Sequence, residues 1–236
     1  MPADSAAIES LIAKGKAARE AARVLARLSS AVKDRALVAI ADALESRQED
    51  VLAANALDMD AGRKAGLGEA LLDRLLLTPE QMAGMASDVR SIARLPDPVG
   101  EVFDMRTLPN GLQVGKRRVP LGVIGSIYES RPNVTIDITA LALKAGNAVL
   151  LRGGKEALNS NRALVSLARE AIASAGGPAE AVQFVDNPDR ALVEPLLKMR
   201  QYIDLMVPRG SASLIRYVVE TAAMPVVAGG IGVCHT

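Results

Sequence analysis

Apolar positions recur at helical spacing through the first part of the chain. The segment Ser5–Leu28 is rich in alanine, and its basic residues fall on faces other than the apolar one. Ser30 is a candidate N-cap for a second helix, and two more helices are predicted within Asp60–Leu95. Thr78 followed by Pro79 is typical of a helix start. The pattern predicts a helical packing layer in which no chemistry is clustered.

Alternation replaces the helical period after this layer. EVFDMRTLPNGLQVGKRRVPLG, residues 101–122, alternates on both sides of Asn110-Gly111. That dipeptide between extended runs is the strongest local signal of a β-hairpin. A protruding hairpin offers its edge to a partner sheet, so self-association through it is expected.

From Val119 onward, short apolar runs alternate with helical stretches. The apolar runs are Gly122–Tyr128, Ala148–Leu151, Ala181–Val185, Ile203–Val207 and Pro225–Ala228. The helical stretches between them are Val134–Lys144, Ala157–Ala175, Asp189–Arg200 and Ser211–Thr221. Apolar strands separated by helices predict an α/β fold whose parallel sheet is covered on both faces. Such sheets bind ligands at the carboxyl ends of their strands.

Composition narrows the classes of function. Half of the 236 residues are hydrophobic, which is enough for a sizeable core. A net charge of +1 with only two Phe and three Tyr argues against nucleic acid or a membrane as partner. Neither a signal peptide nor a membrane-length apolar run is recognised. One cysteine suits a reducing cytoplasm, and one Cys with one His predicts no metal site.

The loop after the first predicted strand carries polar groups. It reads Glu129-Ser130-Arg131-Pro132-Asn133 and opens a helix. Serine, arginine and asparagine at the carboxyl end of a strand suit a polar substrate or an oxyanion. Simple capping of the helix explains the same residues.

Two later loops suit an anion. Arg152 and Lys155 flank two glycines after a strand, where the backbone can approach a phosphate, although an ordinary turn with solvated charges fits equally. Gly210-Ser211 at a helix start offers free N–H groups and the positive end of the helix dipole, or a plain N-cap. Neither loop is a GxGxxG or Walker motif, so neither specifies a cofactor by itself.

The last residues, VVAGGIGVCHT, place the single cysteine, Cys234, beside the single histidine, His235. Neighbours on a strand point to opposite faces, so a catalytic dyad needs a turn at Gly232. A buried cysteine that fills a small core space is the commoner case. We therefore interpret Cys234 as structural and not as a nucleophile.

Three segments carry a family resemblance. VPLGVIGSIYESRPNVTIDITALALKAGNAVLLRGGKEALNSN, DLMVPRGSASLI and MPVVAGGIGVCH together closely resemble the γ-glutamyl phosphate reductases, a family of the aldehyde dehydrogenase superfamily. The resemblance implies a Rossmann-like sheet of the aldehyde dehydrogenase type. It implies NADPH-dependent reduction of L-γ-glutamyl 5-phosphate to L-glutamate 5-semialdehyde and phosphate, in proline biosynthesis. It also implies a homo-oligomer and a contact with glutamate 5-kinase.

The resemblance assigns cofactor roles to four residues. In NAD-using aldehyde dehydrogenases, a lysine and then a glutamate that binds the adenosine ribose follow the strand that resembles Ala148–Leu151. Here those places hold Arg152 and Lys155, and cations attract the 2′-phosphate that a carboxylate would repel. NADP(H) is therefore the implied cofactor. Gly210 and Ser211 match the superfamily's Gly-Ser at the helix that faces the cofactor pyrophosphate.

The superfamily's oxyanion segment is replaced here. Asn-x-Pro becomes Ser130-Arg131-Pro132 with Asn133 after it, which leaves open whether Ser130 or Asn133 supplies the donor. Arg131 is an alternative contact for a substrate carboxylate or phosphate.

Water activation departs from the superfamily as well. Hydrolytic members carry a glutamate before a late Gly-Gly, but here Val227-Ala228 precede Gly229-Gly230. Without a glutamate to activate water, a thioester intermediate would exchange with phosphate and would not be hydrolysed. The family's nucleophilic cysteine is expected downstream of Thr236. In that mechanism a thiolate attacks the acyl phosphate, phosphate leaves, and hydride reduces the thioester.

These expectations divide the chain into three parts. Residues 1–95 form a helical layer of the cofactor domain, 96–121 a hairpin of an oligomerisation arm, and 122–236 the NADP-binding domain. We expect an N-terminal portion of a longer enzyme, inactive alone because the catalytic domain is absent. The alternatives are another acyl-phosphate or acyl-CoA reducing aldehyde dehydrogenase, or a non-catalytic nucleotide-binding module if the chain ends naturally at Thr236.

Overall fold

A four-stranded parallel sheet forms the centre of the computed structural model, which describes residues 4–229. The helices are α1 Ser5–Leu25, α2 Ser30–Ser46, α3 Gln48–Lys64, α4 Glu69–Leu75, α5 Pro79–Arg94, α6 Asn133–Lys144, α7 Leu158–Ser174, α8 Val193–Leu197 and α9 Ala212–Thr221. The strands are β1 Val102–Thr107, β2 Gln113–Arg117, β3 Val123–Tyr128, β4 Ala148–Arg152, β5 Val182–Phe184 and β6 Leu205–Arg209. The predicted α/β fold with a parallel sheet is confirmed.

The sheet has the order β5-β4-β3-β6, with β3 and β4 in the middle. All five residues of β4 are buried, as expected for apolar strands covered by helices on both faces. The predicted strand Pro225–Ala228 is reduced in the described residues to a single bridge between Met206 and Val226. Pro225 has no N–H to donate, which limits the ladder that this segment makes.

Two helix predictions need correction. The segment Asp189–Arg200 forms only a 3₁₀ turn followed by the short helix α8, because Pro195 has no N–H for the carbonyl four residues earlier. The N-cap of α2 is Ser29, whereas Ser30 is its first residue and donates its hydroxyl to Asp97. At α5 the sequence prediction is confirmed, because Thr78 forms a capping box with Gln81 and Pro79 is the first residue of the helix.

Helix α3 was missed by the periodicity analysis because its buried face is polar. Asp58 is buried and accepts four hydrogen bonds at the start of α7, from the backbone N–H groups and side chains of Asn159 and Ser160, at 2.7–3.1 Å. Asn55 donates to the carbonyl of Leu75 and accepts from the N–H of Leu77. A carboxylate at a helix N-terminus satisfies free N–H groups and complements the dipole. This polar cluster anchors α7 and the loop after α4, which is a packing role for the helical layer.

Two buried lysines tie the helical layer to α6. Lys33 pairs with Asp97 at 2.5 Å and donates to the carbonyl of Lys144 at 3.2 Å. Lys144 donates to Asp34 at 2.6 Å and to the carbonyl of Ala93 at 2.8 Å. Burial alone would raise the pKa of Asp97, but hydrogen bonds from Lys33, Ser30 and a backbone N–H outweigh burial and lower it.

Strands β1 and β2 form the predicted antiparallel hairpin around Asn110-Gly111. Gly111 takes a positive φ of 84°, and Asn110 accepts from the N–H of Leu112, which is the turn chemistry the dipeptide favours. Both faces of the hairpin are largely exposed, including Val102 and Met105. An isolated two-stranded hairpin is only marginally stable in water, which is consistent with a partner that covers it. Its role in self-association stays a prediction. No helix in residues 4–229 is long and apolar enough to span a membrane.

Replacing Asp58 by asparagine should lower the free energy of unfolding by about 2–4 kcal/mol, because one acceptor oxygen is lost while two buried donors remain. Urea unfolding followed by circular dichroism measures this. Asp60→Asn on the exposed face of the same helix, where only a surface pair with Arg63 is lost, should change stability by no more than about 0.5 kcal/mol. Equal effects of the two variants would refute the anchoring role of Asp58.

The stabilisation that Asp97 gives should depend on pH. Its folded pKa lies below that of the unfolded chain, about 3.9, so the benefit is complete above that value and is lost as the pH falls through the folded pKa. The difference in unfolding free energy between wild type and Asp97→Asn should therefore be largest at neutral pH and shrink below about pH 4. Urea titrations from pH 7 to pH 2.5 test this, and a constant difference would contradict it.

Candidate functional site

Three loops meet at the carboxyl edge of the sheet. Parallel pairing sets Ile127 of β3 opposite Arg152 of β4, and Tyr128 opposite Arg209 of β6. A Cβ added at Gly154 would lie 3.2 Å from the backbone nitrogen of Ser130. The backbones of the loops after β4 and β3 therefore lie close together. The structure therefore brings together the loops that the sequence analysis selected, at the edge where such sheets bind ligands.

The N-terminus of α9 holds an anion supplied by the chain itself. The Ser211 N–H donates to Glu129 Oε2 at 2.8 Å, and the Ser211 hydroxyl donates to Glu129 Oε1 at 2.9 Å. Ser211 also caps the helix by accepting from the N–H of Leu214. A Cβ at Gly210 would lie 2.7 Å from the Glu129 carboxyl carbon, so the glycine permits this approach.

Glu129 was not selected by sequence reasoning. The available signal was that Glu129 directly follows β3, and that β3 pairs with β6, the strand that leads to Gly210-Ser211. The cofactor roles of Gly210 and Ser211 stay predictions, and the carboxylate shows that this helix start accommodates a negative group.

Arg152 ends β4 with its guanidinium buried. Its Nη2 donates to the carbonyls of Asp189 at 3.0 Å and Pro188 at 3.3 Å, while its buried Nε has no partner among the described residues. Burial, followed by repulsion from Arg190, lowers the pKa of Arg152, and Asp189 opposes that shift. The guanidinium is thus partly committed to the loop after β5, and it lies near charges of both signs, Arg190 and Asp189.

Lys155 begins a 3₁₀ turn beside Gly154 and is exposed. Within residues 4–229 its ammonium group makes no ion pair or hydrogen bond to another side chain. It can therefore meet a ligand phosphate without breaking an existing interaction.

The oxyanion candidates differ in what their side chains already do. Asn133 donates one of its two amide N–H groups to Asp137 at 3.1 Å, which holds its side chain towards Asp137. Ser130 is buried, and its hydroxyl makes no hydrogen bond in the part of the chain that the structure covers. Arg131 is exposed, and within residues 4–229 its side chain makes no hydrogen bond to Ser130 or Asn133. Of Ser130 and Asn133, Ser130 is therefore the candidate whose side chain is not held by another side chain among the described residues.

A buried hydrogen-bonded chain fixes these loops against each other. The hydroxyls of Tyr128 and Thr135 lie 2.6 Å apart, and Thr135 donates to Asn161 at 2.8 Å. Burial raises the pKa of Tyr128, and the hydrogen bond to Thr135 acts in the opposite direction. Thus β3, α6 and α7 share one polar contact directly behind the loops.

A cavity of about 410 Å³ lies between α5 and the start of α6. Polar side chains dominate its wall, and they include Arg74, Asp88, Arg131, Asn133 and Asp137. Burial first, then the charge of Asp88, raises the pKa of Asp137, and Asn133 and Arg209 oppose the shift. Sequence reasoning missed Arg74, Asp88 and Asp137. Only Asp137 had a local signal, because it lies four residues after Asn133 on the same helix face.

Cys234 and His235 lie outside the described residues, as does Gly230. The interpretation of Cys234 as structural, and of the nucleophile as a residue beyond Thr236, stays a prediction. Val227, Ala228 and Gly229 are described and exposed.

Comparison with known proteins gives a consistent family. The model of the aldehyde dehydrogenase family matches residues 3–229. The chain is 56% identical over 226 residues to a γ-glutamyl phosphate reductase of Aeromonas salmonicida, covering 96% of this chain and 54% of the relative. It is 57% identical over 223 residues to that of Roseiflexus castenholzii, covering 94% and 53%. The chain thus spans about half the length of the curated relatives it matches.

Solved structures agree. The crystal structure of γ-glutamyl phosphate reductase from Thermotoga maritima superposes with a TM-score of 0.92 at 44% identity, covering 94% of this chain and 54% of that one. The enzyme from Saccharomyces cerevisiae gives a TM-score of 0.84 at 37% identity, covering 92% and 55%.

Replacing Glu129 by glutamine should strengthen the binding of inorganic pyrophosphate by about three- to ten-fold, because a like charge leaves the start of α9. Isothermal titration calorimetry measures this. Glu220→Gln changes the net charge equally at the other end of the same helix and should leave the affinity unchanged. Equal effects of the two variants would show a response to net charge and not to the site.

Proposed function

Since the chain belongs to the aldehyde dehydrogenase family, we propose that it forms the NADP(H)-binding part of an enzyme that reduces L-γ-glutamyl 5-phosphate to L-glutamate 5-semialdehyde and phosphate. The similarity to proteins named γ-glutamyl phosphate reductase over nearly all of this chain supports the proposed substrate. A place in cytoplasmic proline biosynthesis is part of the same proposal.

The observation that carries the cofactor proposal is the positive charge after β4. Arg152 is buried, is close enough to Arg190 for their charges to repel, and has an Nε without a partner among the described residues. Lys155, three residues later, is exposed. A carboxylate at position 155 would repel a 2′-phosphate, whereas these cations attract it. The residues present therefore fit NADP(H) better than NAD(H).

The phosphate-binding loops fit a dinucleotide through their glycines. Gly154 and Gly210 sit where a Cβ would clash with neighbouring groups, which suits close backbone approach. The pyrophosphate would take the place of the Glu129 carboxylate at Ser211, so Glu129 must rotate away. The nicotinamide, when bound, supplies the hydride for the reduction.

The chain's own contribution to the chemistry is positioning and the exclusion of water attack. The Ser130 hydroxyl, free of other hydrogen bonds among the described residues, donates to the acyl oxygen as negative charge develops there. Val227 and Ala228 provide no carboxylate to activate water, so a thioester would persist for reduction or for exchange with phosphate.

The exposed hairpin of β1 and β2 supports the proposal of a homo-oligomer. Its strands pair only with each other within residues 4–229, and apolar side chains such as Val102, Met105 and Leu112 are more than half exposed. Edge pairing with a second copy would cover these groups. A contact with glutamate 5-kinase belongs to the proposal through the family alone.

A chimera tests the function, in which residues 1–229 precede the remaining half of the Aeromonas salmonicida relative. It should reduce NADP⁺ with glutamate 5-semialdehyde only when phosphate is present, whereas the 236-residue chain alone should not. Lys155→Glu in the chimera should lower kcat/KM for NADP⁺ at least about ten-fold and spare NAD⁺, because the 2′-phosphate loses a cation.

Lys16→Glu, on the exposed face of α1, is the matched control and should leave the coenzyme preference unchanged. Activity that does not depend on phosphate would contradict the proposed reaction. A wild-type preference for NAD⁺ would contradict the proposed cofactor.

A further inference from the structure

The cavity between α5 and the start of α6 carries charges of both signs. Its volume of about 410 Å³ lies within the usual range of small-molecule sites, about 300–1,000 Å³. Its wall is charged where such sites are usually apolar. It adjoins the loop of Ser130, because Arg131 and Asn133 contribute to its wall. A ligand there would reach from the cavity towards the carboxyl end of β3.

Two carboxylates in this cavity are not in direct contact with a cation among the described residues. Asp137 is half-buried and held by Asn133, and Asp88 contributes to the same cavity wall from α5. Neither makes an ion pair within 4 Å in the described part of the chain. Burial first, then repulsion from Asp88, raises the pKa of Asp137, while the hydrogen bond from Asn133 and the charge of Arg209 oppose the shift. A cation bound between them would remove that repulsion.

A cation in the same cavity lacks a carboxylate. Arg131 is exposed on the wall, follows Ser130 directly, and forms no ion pair with any residue between 4 and 229. A guanidinium presents paired N–H donors that match the two oxygens of a carboxylate. The cavity therefore offers separate places for a positive and a negative group.

We propose that this cavity recognises the α-amino acid head of the substrate, with Asp88 and Asp137 holding its α-ammonium group and Arg131 holding its α-carboxylate. The inference rests on the proposed function and names the residues that select an amino-acid acyl group. An acyl group without the ammonium would leave both acids without that partner, which lowers its affinity relative to an amino-acid acyl group. Ser130 then meets the acyl end, which leaves the cavity towards the sheet edge.

Matched ligands test this with the 236-residue chain. Glutarate is L-glutamate without its ammonium group, and 4-aminobutyrate is L-glutamate without its α-carboxylate. Chemical-shift titration of backbone amides, which follows millimolar binding, should show that each binds at least about ten-fold more weakly than L-glutamate.

Matched variants test which side chains bind the α-ammonium group and which bind the α-carboxylate. Asp88→Asn and Asp137→Asn should each weaken L-glutamate about ten-fold and leave glutarate unchanged, whereas Arg131→Met should weaken L-glutamate and leave 4-aminobutyrate unchanged. Asp60→Asn, an exposed acid on α3, is the control and should change nothing. Asp88 is exposed, so its variant should fold even if Asp137→Asn does not, and circular dichroism checks both.

The proposal is overturned if L-glutamate does not bind, if glutarate binds as tightly, or if Asp88→Asn has no effect. NADP⁺ titration separates this result from the proposed function. The Asp88 and Asp137 variants should bind NADP⁺ like wild type. Preference of the wild type for NAD⁺ would contradict the proposed cofactor and leave the glutamate result standing.

Discussion

Parallel pairing of β3 with β4 and β6 is the constraint on which the candidate site depends. Because the three strands run the same way and in this register, Tyr128, Arg152 and Arg209 end at one edge of the sheet. The loops that follow must then share a small space. Glycines at 154 and 210 allow that crowding, since a Cβ at either position would meet a neighbouring loop.

Two charged groups at this edge are not arranged for stability alone. Arg152 is buried near Arg190, and within residues 4–229 its Nε has no partner, an arrangement that costs free energy. Glu129 lies at the start of α9 in the manner of a phosphate. Under the proposed function, a cofactor phosphate at this edge would make both features favourable, and groups that cost stability are typical of functional sites.

Polar contacts from the N-terminal helices fix the positions of α6 and α7. Asp58 caps α7 from α3, and the lysines at 33 and 144 join α2, α5 and α6 through buried ion pairs and carbonyl contacts. These polar contacts need defined geometry, so they set the position of α6 relative to α5 more narrowly than apolar packing would. The charged cavity between those two helices depends on that position.

The sequence alone determined the parallel sheet, the hairpin at Asn110-Gly111 and the loops that carry the site, because periodicity, turn chemistry and strand polarity are local properties. It did not predict α3, whose buried face is polar, and it left Arg74, Asp88 and Asp137 unassigned, because they come from separate helices. Only the tertiary structure placed Glu129 against Ser211, and the Arg152 guanidinium under the carbonyls of Pro188 and Asp189. Partners far apart in the chain leave no local pattern, so their contacts are decided when the layers pack.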